Sequence, residues 1–150
     1  VDKTVEFDGR AGAGRPDAPA LSTAMPLSGD SSCIGRARHH AADFLTRART
    51  RGVAVSARAL DLTQLVVSEL VTNAVKHAPG PLRLELRIGA DATVEVSVQD
   101  SIRAQPASHP VDPERVGQHG LEIVKAVAKA FQVRLEPCGK RVTAHIALTD

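Results

Sequence analysis

Tryptophan and tyrosine are absent from this 150-residue chain, and phenylalanine occurs only three times. A chain so poor in aromatics has few rings on which to stack bases, which argues against a single-strand nucleic-acid binder. Its core must come from Val, Leu, Ile and Ala. Cysteine is nearly missing too: Cys33 and Cys138 stand apart, outside any C-x-x-C spacing and without neighbouring ligand histidines. That pattern suggests neither a zinc site nor a disulfide framework, and it fits a reducing cytoplasm. No apolar run reaches membrane-spanning length. The N-terminus has no apolar segment of the secretory type, and the missing initiator methionine would fit either a fragment or a remnant of cloning. The charge is close to balanced, +2 overall, so no strong field marks out a partner.

The length and a hydrophobic fraction of 43% suit one globular domain. Residues 1–20, rich in Gly, Ala, Pro and Asp, read as a flexible tail or linker, and residues 21–150 as the folded unit. "LSTAMPL" (21–27) is a candidate strand that Pro26, with no N–H to donate to a sheet ladder, would confine to an edge or end. A helix is expected from about Ser31, with Ser31 or Ser32 as its N-cap, to about Thr50. Its basic residues, Arg36, Arg38 and Arg47 among them, and His39 and His40 read as a solvated face. A second helix spans about Ala57 to His77 and stops at "APGP". The period then changes from helical to alternating. "LRLELRI" and "TVEVSV" form a hairpin across "GADA". A long polar stretch after Asp100 reads as a functional loop. The helix "GLEIVKAVAKAF" follows, with Lys125 and Lys129 facing solvent, and "QVRLEP" and "RVTAHIAL" form a second hairpin across "CGK". This order implies an α+β two-layer sandwich, its sheet mixed but mostly antiparallel, with helices on one face.

The second helix carries the oddity. Val66, Val67, Leu70, Val71 and Ala74 make an apolar arc, yet Glu69 and Asn73 lie beside its border, one turn apart. A half-buried carboxylate or carboxamide needs a polar partner, water or a ligand. His77 lies one turn further on, where it either lines the same wall or meets the last carbonyls of the helix.

"SELVTNAVKHA", a strand ending in "VSVQD", a long loop and the helix start "GQHGLEIV" occur in that order. The series resembles the ATP-binding domain of the GHKL type, shared by DNA gyrase, Hsp90, histidine kinases and mismatch-repair ATPases. More narrowly it is similar to bacterial anti-sigma-factor serine kinases and related regulators. The resemblance covers about residues 30–148.

It implies ATP and Mg²⁺ as ligands and a role for each motif residue. Asn73 would offer its side-chain oxygen to Mg²⁺, which favours hard oxygen donors. Glu69 would act as general base on an attacking hydroxyl. Asp100 would accept a hydrogen bond from the adenine amino group. Gly117, Gly120 and Leu121, at the start of a helix, would bring backbone N–H groups to the phosphates. His77 would line the phosphate side, and residues 101–118 would close over the nucleotide. The chain departs from the family pattern in three places. Ile102 and Ala104 stand where glycines are usual, Gln118 replaces a phosphate-loop glycine, and Lys140 and Arg141 fall where a threonine helps to hold adenine.

The leading reading is therefore an ATP/Mg²⁺-binding regulator of the anti-sigma type. It would hold a protein partner, a sigma factor or an anti-sigma antagonist, and serine/threonine kinase activity on that antagonist is one implied function. A homodimer is compatible with it. The alternative keeps the fold and the partner but not the nucleotide. A third reading, a DNA-contacting regulator using the basic first helix, lacks a helix-turn-helix pair.

Overall fold

The computed structural model describes residues 21–77, 80–101, 118–137 and 139–149. In chain order they form β1 (Leu21–Leu27), α1 (Cys33–Thr50), α2 (Ala57–His77), β2 (Leu82–Ile88), β3 (Thr93–Asp100), α3 (Gln118–Val127), β4 (Ala130–Glu136) and β5 (Gly139–Ala147). The strands make one five-stranded sheet in the order β1-β2-β3-β5-β4. Every pairing among the described residues is antiparallel, so the sheet has no parallel component there. The expected tail and the expected closing loop both lie outside the described residues. Among the described residues no helix is long and apolar enough to cross a membrane.

Alternation decides which side of the sheet is covered. Leu82, Leu84, Leu86 and Ile88 of β2 are buried, as are Val94, Val96 and Val98 of β3 and Val142, Ala144 and Ile146 of β5. Successive side chains of a strand point to opposite faces, so these residues form one continuous apolar face. Onto it the helices lay Ala37, Ala41, Phe44, Leu45 and Ala48 of α1 and Val66, Val67, Leu70 and Val71 of α2. Fully burying one such aliphatic side chain contributes about 1.5–3 kcal/mol. Helix α2 is the central element: it packs on α1, on α3 and across β3 and β5.

The helix ends show how the chain sets its boundaries. At α1, Ser32 occupies the N-cap position, but its side chain does not cap the helix. Asp30 takes over part of that work, accepting the Ser32 N–H at 3.0 Å through Oδ1 and the Cys33 N–H at 3.0 Å through its carbonyl. At α2 the cap is Ser56, whose hydroxyl accepts the Ala59 N–H at 2.9 Å.

Helix α3 ends at Val127, four residues before the expected Phe131, because Ala130 and Phe131 pair with His145 and Ala144 of β5. The Lys129 N–H donates to the His145 carbonyl at 2.7 Å, already in sheet geometry. Strand pairing and the packing of Phe131 on the core outweigh the helical propensity of "AVAKAF". Two expected solvent charges also have partners. Lys129 Nζ donates to Thr93 Oγ1 at 2.9 Å, and the Lys125 ammonium sits 5.5 Å from the centre of the Phe131 ring.

Candidate functional site

The stripe on α2 faces α3. Gly120, in the first turn of α3, lies so near the Glu69 carboxylate that an added Cβ would stand 2.8 Å from Oε1. A carboxylate at the amino end of a helix is favoured by the peptide dipoles. One turn along α2, Asn73 is buried, with 4% of its surface exposed, and its Oδ1 has no hydrogen-bond partner. A buried carboxamide oxygen left in this state costs about 1–3 kcal/mol. Such an atom at the border of an otherwise apolar face fits a site for a cation or a donor.

The second wall of the site is the end of β3. Residues 94, 96, 98 and 100 share the covered face, so Asp100 occupies the place where the pattern would put another valine. It is buried, with 5% exposed, and its Oδ1 accepts the Lys140 N–H at 3.0 Å. Gly139 makes this approach feasible. With φ at +153°, it lies where a Cβ would come within 2.0 Å of the Asp100 carbonyl oxygen.

His77 closes α2 and is exposed; burial of its ring, followed by the charges of Lys140 and Lys76, holds its pKa below the ordinary histidine value. Leu121 belongs to the core, with 3% exposed, so only its backbone is left for a ligand. Gly117, Ile102 and Ala104 lie outside the described residues.

Two residues differ from what the sequence alone suggests. Arg141 does not face this site. Its guanidinium donates to Gln99 Oε1 at 2.9 Å and lies 3.4 Å from Glu85 and 3.8 Å from Glu136, on the uncovered face of the sheet. There it lines a groove of about 460 Å³ with the buried Ser97–Thr143 hydroxyl pair. Burial pushes the Glu85 carboxyl up, but Arg83 and Arg141 more than reverse this, and its pKa lies below the ordinary value. His40 is not merely solvated: its Nε2 lies 3.2 Å from Thr23 Oγ1, joining α1 to β1.

Glu69 thus meets Gly120 across α2 and α3, with Asn73 one turn along α2, while Asp100, Gly139 and Lys140 meet at the end of the sheet. Among the described residues no cluster of His, Cys, Asp or Glu is arranged to hold a metal by itself. A cation at Asn73 would need ligand or water oxygens to complete its shell, which is the usual habit of magnesium.

The fold is an α+β two-layer sandwich built on one central helix, with the polar residues of the candidate site on that helix and at the end of β3. A profile of the histidine kinase-like ATPase domain matches residues 34–146, and the chain belongs to that family. Among solved structures it is similar to the RsbU and RsbW domains of Rv1364c from Mycobacterium tuberculosis, at 17% identity and a TM-score of 0.66. That match covers 88% of this chain and 34% of the other, so this chain spans about a third of the relative's length. Comparison with curated protein sequences finds no match.

Proposed function

We propose that this chain is an ATP- and Mg²⁺-binding regulator of the anti-sigma type, acting in the cytoplasm on a protein partner. The single observation that carries the reading is Asn73: a buried side-chain oxygen without a partner, one turn from Glu69 on the central helix. Membership of the histidine kinase-like ATPase family supports the nucleotide. The likeness to a chain bearing RsbU and RsbW domains supports a regulator that holds a sigma factor or its antagonist.

Each residue would have a distinct task. Asn73 would hold Mg²⁺ through Oδ1, and the bound ion would neutralise phosphate charge. Asp100 would take the adenine amino group; a carboxylate has about four acceptor sites, and the Lys140 N–H uses one of them. The backbone at Gly120 and Leu121 would face the phosphates at the amino end of α3. Glu69, held against that helix start, would accept the proton of a partner's serine hydroxyl as its oxygen takes the γ-phosphoryl group and ADP leaves.

A nucleotide-independent binding module is the second reading, favoured by Ile102 and Ala104 at positions where glycines are usual. Arg141 lends it no support, because its side chain is committed to the opposite face.

Transfer from γ-labelled ATP to a serine-bearing partner tests the enzymatic part. Glu69→Ala is expected to lose at least about 100-fold in rate, the usual share of a general base, with ATP affinity retained. Equal transfer by wild type and Glu69→Ala would contradict the assigned role.

A further inference from the structure

The sheet has two outer strands, and they are not alike. β1 contains Pro26, which has no N–H to offer an incoming strand and so blunts that edge. β4, at the other side, carries neither proline nor lysine in "AFQVRLE". It pairs with β5 along its whole length, and among the described residues nothing pairs with its outer side. Such an edge presents a row of unpaired N–H and C=O groups to an extended chain.

The side chains of β4 continue this incompleteness. Phe131, Val133 and Leu135 alternate onto the helix side of the sheet, beside Ala144, Val142 and Lys140 of β5. Phe131 and Val133 pack against the core. Leu135 is left with 66% of its surface exposed, the most of any large apolar residue among those described. The opposite side of the strand shows Gln132, Arg134 and Glu136, which line the groove on the uncovered face.

We propose that the free edge of β4 pairs with the same edge of a second copy of this chain, antiparallel about a two-fold axis at Val133. Two five-stranded sheets would then run on as one. The register follows from the sequence of the strand. An isologous contact sets each residue against its mirror position about the axis. Val133 is the midpoint of Ala130–Glu136, so only this axis uses the full strand. It sets Leu135 of each copy against Phe131 of the other, an aromatic–aliphatic pair with Cβ atoms about 4.5–5.5 Å apart. Both exposed leucines are covered at once. On the other face Arg134 meets Gln132 and Glu136 meets Ala130, so no like charges stand directly opposite. An axis at Arg134 would set two guanidinium groups face to face, and one at Gln132 would set Leu135 against Lys129. The strand is thus its own complement, which selects a second copy as the occupant. One strand pair is smaller than the ~1,200–2,000 Å² of a standard interface, so the dimer is a concentration-dependent one. The inference is independent of the nucleotide reading.

Sedimentation velocity of the full chain from micromolar to millimolar concentration, on wild type, Leu135→Lys and Gln132→Glu, tests it. Leu135 is exposed in the single copy, so the lysine variant should keep its fold, which circular dichroism checks. Wild type is expected to pass from monomer to dimer as concentration rises. Leu135→Lys should raise the dissociation constant at least about tenfold, because two covered leucines are lost per dimer. Gln132→Glu places a carboxylate opposite Arg134 twice and should tighten the dimer several-fold, less so at high salt. A wild type that stays monomeric to millimolar concentration, or a dimer indifferent to Leu135→Lys, overturns the proposal. A dimer that Leu135→Lys weakens but Gln132→Glu does not tighten overturns the register at Val133.

Discussion

Asn73 sets a conflict between stability and function at the scale of one side chain. Its unpartnered Oδ1 contributes nothing to the folded state of the free protein and carries a desolvation cost. Asn73→Ala is therefore expected to change unfolding free energy by less than about 1 kcal/mol, or to raise it, in urea titrations. A loss of about 2 kcal/mol or more would mean that the carboxamide is a structural bond partner. Gly139 presents the opposite case. Any side chain there collides with the Asp100 backbone, at a φ that L residues rarely adopt. Gly139→Ala should cost roughly 2 kcal/mol or more and separate β5 from Asp100. Loss of the Lys140–Asp100 amide protection in hydrogen exchange would register that separation.

At the scale of elements, the cap at Ser56 and the core residue Leu70 are independent supports of α2, the helix that carries Glu69 and Asn73. Ser56→Ala removes a hydroxyl acceptor from the Ala59 N–H and should cost about 1 kcal/mol. Leu70→Ala opens a cavity under the helix and should cost about 2–5 kcal/mol, measured by denaturant melts. Most elements were legible in the sequence because their periods are clean: 3.6 along "LVVSELVTNAV", and two along "LRLELRI" and "TVEVSV". The boundaries that differ are those set by contacts between elements. "AVAKAF" reads as helix until β5 claims Ala130 and Phe131. Asp30 steadies the entry to α1 because the turn brings its carboxylate to the Ser32 N–H and its carbonyl to the Cys33 N–H. The site was legible in part. Glu69, Asn73 and Asp100 stand out as polar interruptions of apolar patterns. That Lys140 lies on the covered face beside Asp100 and Arg141 on the opposite one follows from strand alternation, once the register of β5 against β3 is known. No local signal reveals the Thr23–His40 contact, because 17 residues separate the partners.

For the whole molecule, pH acts through two histidines whose rings the fold partly buries. Burial is the larger cause of the lowered pKa at both; Arg47 adds to it at His40, where Asp43 opposes, and Lys140 and Lys76 add to it at His77. The unfolded chain takes up these protons near the ordinary value of 6.5, before the folded chain does. Stability is therefore fully present above that pH and declines as pH falls from about 6.5 through the lower folded values. The carboxylates with lowered values, such as Glu85, act in the other window: their contribution is lost only below the ordinary value of 4.5. Urea midpoints should thus be higher at pH 7.5 than at pH 5.5, and the gap should narrow in His40→Gln. An equal gap in that variant would remove His40 from the account. In the proposed reading, the covered sheet face and the carboxyl half of the central helix together would form the platform for a nucleotide. Its decisive measurement is calorimetric titration of wild type and Asn73→Ala with ATP, with and without Mg²⁺. The account predicts magnesium-dependent binding by wild type and at least tenfold weaker binding by the folded variant, the scale on which a lost metal ligand acts. Equal affinities for the two proteins, or no heat from a folded wild type at millimolar ATP, would contradict it.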